Sequence, residues 1–273
     1  MKKEVPTLVK WAGGKKQLLE QFKPLFPKNI TTYIEPFVGG GAVLFYVLKN
    51  YSPKKVIILD INSELINAYE VVRDDVENLV AELKKLKKLH NKENYYRIRA
   101  EDPKLLSKLT RASRFIYLNK TCFNGLYRVN SKGDFNVPIG SYKNPSVCSE
   151  EDLLEISKLL KNVIIINGGF EECLKFAKKG NFVYFDPPYY PLNSSSFTTY
   201  TKDKFLGNEQ KQLRKVFGIL DKRGCEVMLS NSDSKFIKDL YENYNISFVR
   251  ATRMINSNAS ERGKINEIVV RNY

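Results

Sequence analysis

The chain has 273 residues, 42% of them hydrophobic, which is enough for one large core carrying a substantial insertion. Its 45 basic and 30 acidic residues leave a net charge of +15, which points toward a polyanionic partner. No apolar run approaches the roughly 18 residues of a membrane span, and Met1-Lys2-Lys3 is not followed by an apolar signal segment, so a soluble protein of the cytoplasm is expected.

In chain order, Lys10-Trp11-Ala12-Gly13-Gly14-Lys15 places a glycine pair before a helical pattern over 17–22 that ends near Pro24. Paired glycines let backbone approach a ligand, and Lys15 is suited to hold a carboxylate there. Residues 31–35 read as a short strand, followed by a glycine loop (Gly39, Gly40, Gly41) and an apolar helix over 42–48. Strand, glycine loop and helix start form the pattern that binds nucleotide-like ligands. The third glycine of the dinucleotide fingerprint is missing, because Leu44 stands there, and a nicotinamide cofactor is disfavoured.

A second buried strand, 55–60, ends in Asp60. An acid about 20 residues beyond a glycine loop accepts hydrogen bonds from the ribose of a nucleoside, whether of NAD or of S-adenosylmethionine. The alternative is a helix cap; the glycine loop ahead favours the ligand.

Helical patterns then cover 63–89, 92–100 and 103–119 with no strand among them, so 63–148 reads as an insertion dividing a domain of 1–62 and 149–273. Its second half, 104–148, holds eight basic residues against one acid, Asp134, interleaved with aromatic residues. That composition suits a phosphate backbone and its bases. Residues 123–130 and 131–138 read as a hairpin turning at Lys132-Gly133, a β-ribbon that fits the major groove. Arg128 would bond a guanine bidentately and Asn124 would fill or flank the gap left by an extruded base. The run Lys84, Lys85, Lys87 and Lys88 reads only as a solvated face.

The α/β alternation returns with a capping-box helix start (Ser149, Asp152), a strand at 163–166 and a short helix at 171–177. Next comes Phe182-Val183-Tyr184-Phe185, a strand buried on both faces, and then Asp186-Pro187-Pro188-Tyr189. A carboxylate at the carboxyl end of such a strand faces the ligand crevice, and the prolines leave the Asp186 carboxylate and Pro187 carbonyl as acceptors beside an aromatic ring. Two acceptors and a ring suit the exocyclic amine of a nucleobase, whose delocalised lone pair must be drawn out before it can attack a methyl donor. The plain alternative is a strand-ending turn. A polar loop at 193–204 has the length of a lid. Helices are expected at 208–220 and 234–241, with strands at 226–230, 246–251 and 265–270, the last two pairing antiparallel at the sheet edge.

Cys122, Cys148, Cys173 and Cys225 are widely spaced and His90 is the single histidine, so neither a zinc site nor a disulfide framework is expected.

Taken together, the motifs at 10–15, 35–41, 60–66, 123–130, 135–145 and 186–189 resemble those of the Dam-type (class alpha, D12 family) adenine-N6 DNA methyltransferases, especially the GATC modification enzymes of restriction systems. The resemblance implies an α/β fold: a Rossmann-like seven-stranded methyltransferase sheet, mostly parallel with an antiparallel edge hairpin, carrying an inserted helical and β-hairpin recognition region. It implies S-adenosylmethionine as methyl donor, S-adenosylhomocysteine as product and no metal. Trp11, Lys15, Gly39, Gly41, Asp60 and Asp186 would line the cofactor site, and Asp186, Pro187 and Tyr189 would carry catalysis. Lys10, Asn124, Leu126, Arg128, Asn130, Pro138, Tyr142 and Lys143 would meet double-stranded DNA.

A monomer or weak dimer is expected, with a cognate restriction endonuclease as functional partner. The chain departs from the pattern at Gly169, where close relatives tend to carry an acid that contacts the cofactor adenine. Methylation of RNA or of a protein amide is an alternative, though it usually carries Asn before Pro-Pro-Tyr. A non-catalytic DNA-binding protein would explain the charge but not the glycine loop, Asp60 and Asp186 together.

Overall fold

The computed structural model describes residues 6–192, 205–252 and 264–273. The proposed lid at 193–204 lies outside them.

Seven strands form one sheet: β1 Thr32–Glu35, β2 Lys55–Asp60, β3 Val163–Asn167, β4 Phe182–Phe185, β5 Glu226–Ser232, β6 Asn245–Thr252 and β7 Lys264–Arg271. Their order is β3-β2-β1-β4-β5-β7-β6, with β1 to β5 parallel and β7 antiparallel to both neighbours. The central strands β1, β2 and β4 are largely buried on both faces, which is why they read as apolar runs, whereas β3 at the edge leaves Ile164 exposed. Side chains alternate between two cores: Tyr33, Val56, Ile58, Phe182 and Tyr184 face one, and Ile34, Ile57, Leu59, Val183 and Phe185 face the other. The edge strand β6 is covered at Arg250 by Gln21, which donates to the Arg250 carbonyl and accepts from its N–H.

The insertion is helical as expected, but its boundaries are cut more finely. The 63–89 pattern is two helices, Ser63–Asp74 and Val76–Lys88, parted at Asp75, whose non-helical backbone (φ −147°, ψ 46°) breaks the ladder. The 103–119 pattern divides into a 3-10 turn, Pro103–Leu105, and a helix, Lys108–Thr121, because the Ser107 hydroxyl caps the latter by accepting from Thr110 N. Helix Ser63–Asp74 packs on β2 and β3 and also on Lys108–Thr121, so it couples sheet and insertion.

Two expectations are corrected. Ser149 makes no capping hydrogen bond at the helix Glu150–Leu160; three acids in the first turn complement its dipole instead. The 123–138 segment does turn back at Lys132-Gly133, but it is not a regular ribbon: only the bridges Val129↔Phe135 and Cys122↔Ile139 form, and Phe123–Gly125 is a 3-10 turn. Phe135 and Val137 are buried in the core and Pro138 lacks an N–H, so the ladder cannot continue.

No described helix is long and apolar enough to cross a membrane.

Candidate active site

Strand order reverses between β1 and β4, and the crevice outside the carboxyl ends of strands at such a point is where open α/β sheets bind ligands. Three motifs meet there: the 10–15 segment, the glycine loop after β1 and the Asp-Pro-Pro-Tyr turn after β4.

The glycine loop is shaped by what lies against it. Gly39 has φ +48°, and a Cβ there would lie 2.7 Å from the Trp11 indole. Gly41 has φ +79°, and a Cβ would lie 2.5 Å from the Tyr69 hydroxyl, which donates to the Gly39 carbonyl at 2.9 Å. Both positions therefore need glycine on conformational and on steric grounds. Trp11 also stacks on Tyr127, with ring centroids 5.7 Å apart, so one indole ties the loop to the insertion.

Asp60 ends β2 beside this loop. Its Oδ2 accepts from Gly39 N at 3.2 Å and its Oδ1 from Asn62 N at 2.9 Å. Burial raises its pKa to about 6, against the lowering effect of those amides. Asp60 is not the helix cap, because Asn62 accepts from Glu64 N and Leu65 N at the start of Ser63–Asp74.

Asp186 stands at the tip of β4. Its pKa is likewise raised to about 6: burial dominates, Lys15 opposes it, and Glu267 adds to it. Lys15 is buried, with Nζ 2.9 Å from Asp186 Oδ1 and 4.7 Å from the Tyr189 ring centroid. The ammonium also donates to the Gly13 carbonyl; Asp186 Oδ1, the atom it pairs with, is closed to solvent, and the 20% of the side chain that stays exposed lies away from that oxygen. Lys15 thus holds the Asp186 carboxylate, the role its place after the glycine pair suggests.

Buried amides fix the turn on both sides. Gln210 Nε2 donates to the Pro188 carbonyl at 2.9 Å, Asn231 Oδ1 accepts from Tyr190 N at 3.1 Å, and Asn231 Nδ2 donates to Gln210 Oε1 at 3.0 Å. No described residue donates to the Pro187 carbonyl. The Tyr189 hydroxyl donates to Glu267 Oε2 on β7 at 2.7 Å. Sequence reading missed Glu267, Gln210 and Asn231; no local motif marks them.

On the insertion, Asn119 binds the Lys10 backbone N–H and carbonyl through its side chain and also donates to the Gly125 carbonyl. Lys10 Nζ meets the Tyr142 hydroxyl at 3.2 Å and lies 4.5 Å above that ring. Lys10, Tyr142 and the Asn124-Gly125 turn, where Asn124 has φ +55°, thus form one group. Arg128 is exposed, with Nε donating to Asn136 Oδ1 at 2.7 Å. The Asn130 side chain is spent within the turn, accepting from Lys132 N and Asp134 N and donating to Asp134 Oδ2. Leu126 packs partly on the core, while Pro138 and Lys143 are exposed. At Gly169 a Cβ would lie 2.9 Å from Glu171 Oε2, so a carboxylate stands beside the position that lacks one, held by Gln212 at 2.8 Å.

Comparison with known proteins shows the family. The family model for D12 class N6 adenine-specific DNA methyltransferases matches residues 11–255. A type II methyltransferase of Methanocaldococcus jannaschii is 50% identical, covering 99% of this chain and 100% of its own length. A second, from Lactococcus lactis subsp. cremoris, is 45% identical over 97% of this chain and 94% of its own length. The DNA adenine methylase of Escherichia coli K12 is 34% identical, covering 96% and 93%. The family match spans the glycine loop, the insertion and the Asp-Pro-Pro-Tyr turn alike, and with relatives aligned nearly end to end the chain belongs to the D12 class of N6 adenine-specific DNA methyltransferases.

Proposed function

We propose that the protein transfers the methyl group of S-adenosylmethionine to N6 of an adenine flipped out of duplex DNA, within GATC. The observation that carries the reading is the juxtaposition at the tip of β4: a half-buried carboxylate held through one oxygen by Lys15, and a carbonyl without a described donor, beside a tyrosine ring and the glycine loop.

The residues fit the cofactor. Gly39 and Gly41 keep the loop free of side chains, Asp60 offers remaining lone pairs to ribose hydroxyls, and Trp11 and Lys15 close the cradle. When bound, the cofactor supplies a methyl carbon on a sulfonium, and S-adenosylhomocysteine remains after transfer; this chemistry needs no metal. With a pKa of about 6, Asp186 is ionised at neutral pH and accepts one N6 hydrogen. The Pro187 carbonyl accepts the other, so the nitrogen becomes pyramidal and its lone pair leaves conjugation. Tyr189 stacks on the base, offsetting part of the few kcal/mol that extrusion costs.

Residues 63–148 act as the target-recognition region of a catalytic domain built from 1–62 and 149–273. Lys10, Asn124 and Tyr142 lie together on the face that meets the flipped nucleotide. Arg128 reads a guanine once its guanidinium leaves Asn136, and Leu126, Asn130, Pro138 and Lys143 flank it. The GATC assignment rests on the motif resemblance, and the relatives' description as type II methyltransferases supports pairing with a restriction endonuclease.

The test is incorporation of labelled methyl into duplexes with and without GATC, followed by identification of the modified base. Label on N6-methyladenine only in GATC duplexes is expected. Equal labelling of both would remove the site assignment, and label elsewhere than on adenine would remove the mechanism.

A further inference from the structure

We propose that Glu267 is the positioning residue that fixes the ring of Tyr189 over the target base, an inference that rests on the adenine-transfer reading of Asp186 and Tyr189. Because β7 runs antiparallel, its first residues lie at the carboxyl ends of β4 and β5, and Glu267 stands opposite Ser232 of β5 and Val249 of β6. A strand two places from β4 in the sheet thereby delivers a carboxylate to the Tyr189 hydroxyl, 2.7 Å away across 78 positions of sequence.

The turn's backbone needs no help from Glu267, since Gln210 and Asn231 grip the residues on either side of Tyr189. What they leave undetermined is the tilt of the ring about its own side-chain torsions. Stacking alone requires only an aromatic face, which phenylalanine supplies equally well. A hydroxyl even partly withdrawn from water is costly unless bonded, and a bond to a carboxylate is both short and strong. The hydroxyl end is therefore anchored by Glu267 while the ring face lies beneath the Lys15 ammonium, and the platform is held at two points before any base arrives.

The experiment compares Glu267→Ala, Glu267→Gln, Tyr189→Phe and the Tyr189→Phe/Glu267→Ala double variant in the full chain. It measures kcat and KM for duplex DNA and cofactor, with melting temperatures to establish folding. Glu267→Ala should lower kcat about tenfold, the size of one hydrogen bond to a charged group, with KM for the cofactor unchanged. Glu267→Gln, whose amide oxygen still accepts, should restore kcat to within about threefold of the wild type. Tyr189→Phe should match Glu267→Ala, and the double variant should fall no lower than either single one, because all three lose the same contact. Multiplying losses, an amide variant as poor as the alanine one, or Tyr189→Phe at the wild-type rate would each overturn the proposal, the last even if Glu267→Ala does not fold. A wild-type chain that leaves adenine unmodified would instead sink the reading on which it rests.

Discussion

Asp60→Asn separates the binding role of Asp60 from its effect on stability, and the two should change in opposite directions at neutral pH. In the fold Asp60 titrates at about 6 against an ordinary 3.8, because burial outweighs the amides of Asn62, Gly39 and Ile61. The native state therefore holds a proton that the unfolded chain has already released, and stability is lost as pH rises through this window. At about 1.4 kcal/mol per pH unit, a gap of about two units costs at most about 3 kcal/mol above pH 6, less to the extent that water reaches the cleft-side oxygen. Roughly 2 kcal/mol of it accrues between pH 4.5 and 8.

Asparagine does not titrate, so it avoids that cost, but its NH2 cannot accept from Gly39 N and it forfeits about 1 to 2 kcal/mol at every pH. Urea unfolding without cofactor should show the variant equal to or slightly below the wild type at pH 4.5 and about 1 to 2 kcal/mol above it at pH 8, with unchanged m-values. Glu35, also on this side, is pushed well above its usual value by burial and further by the Asp186 and Asp60 carboxylates. The difference between the two curves thus reports Asp60 together with its field on Glu35, whose relief in the variant acts in the same direction. Cofactor binding should weaken because the ribose loses a charged acceptor. A stability difference that is flat with pH, or that slopes the other way, refutes the claim that Asp60 is a desolvated carboxylate held for a ligand.

Asp186→Ala should abolish methyl transfer while leaving duplex affinity largely intact, measured by label incorporation and by gel shift; near-normal turnover would remove Asp186 from the chemistry. Arg128→Ala should relax discrimination at one base pair, costing about 1 to 3 kcal/mol against the cognate site on base-substituted duplexes. Unchanged selectivity would take Arg128 out of the readout.

What the sequence discloses about this molecule follows from how local each physical signal is. The central strands β2 and β4 are legible because burial on both faces demands apolar runs, and their tips are legible because Asp60 and Asp186 follow such runs. Helix divisions at Asp75 and Ser107 were blurred because apolar periodicity continues across a break that only backbone angles and a cap define. The hairpin's irregularity was hidden for a related reason: Phe135 and Val137 alternate as in a ribbon, yet they are drawn into the core of the insertion rather than paired across a ladder. The supports of the Asp-Pro-Pro-Tyr turn were beyond reach altogether. Gln210, Asn231 and Glu267 come from a helix and two strands that follow Asp186 in sequence, and only the return of β7 against the direction of β5 brings the last of them to Tyr189. Residues that would face the substrate sit where one strand ends and can be found from that strand alone. Residues that hold them in place are chosen by the topology of the whole sheet.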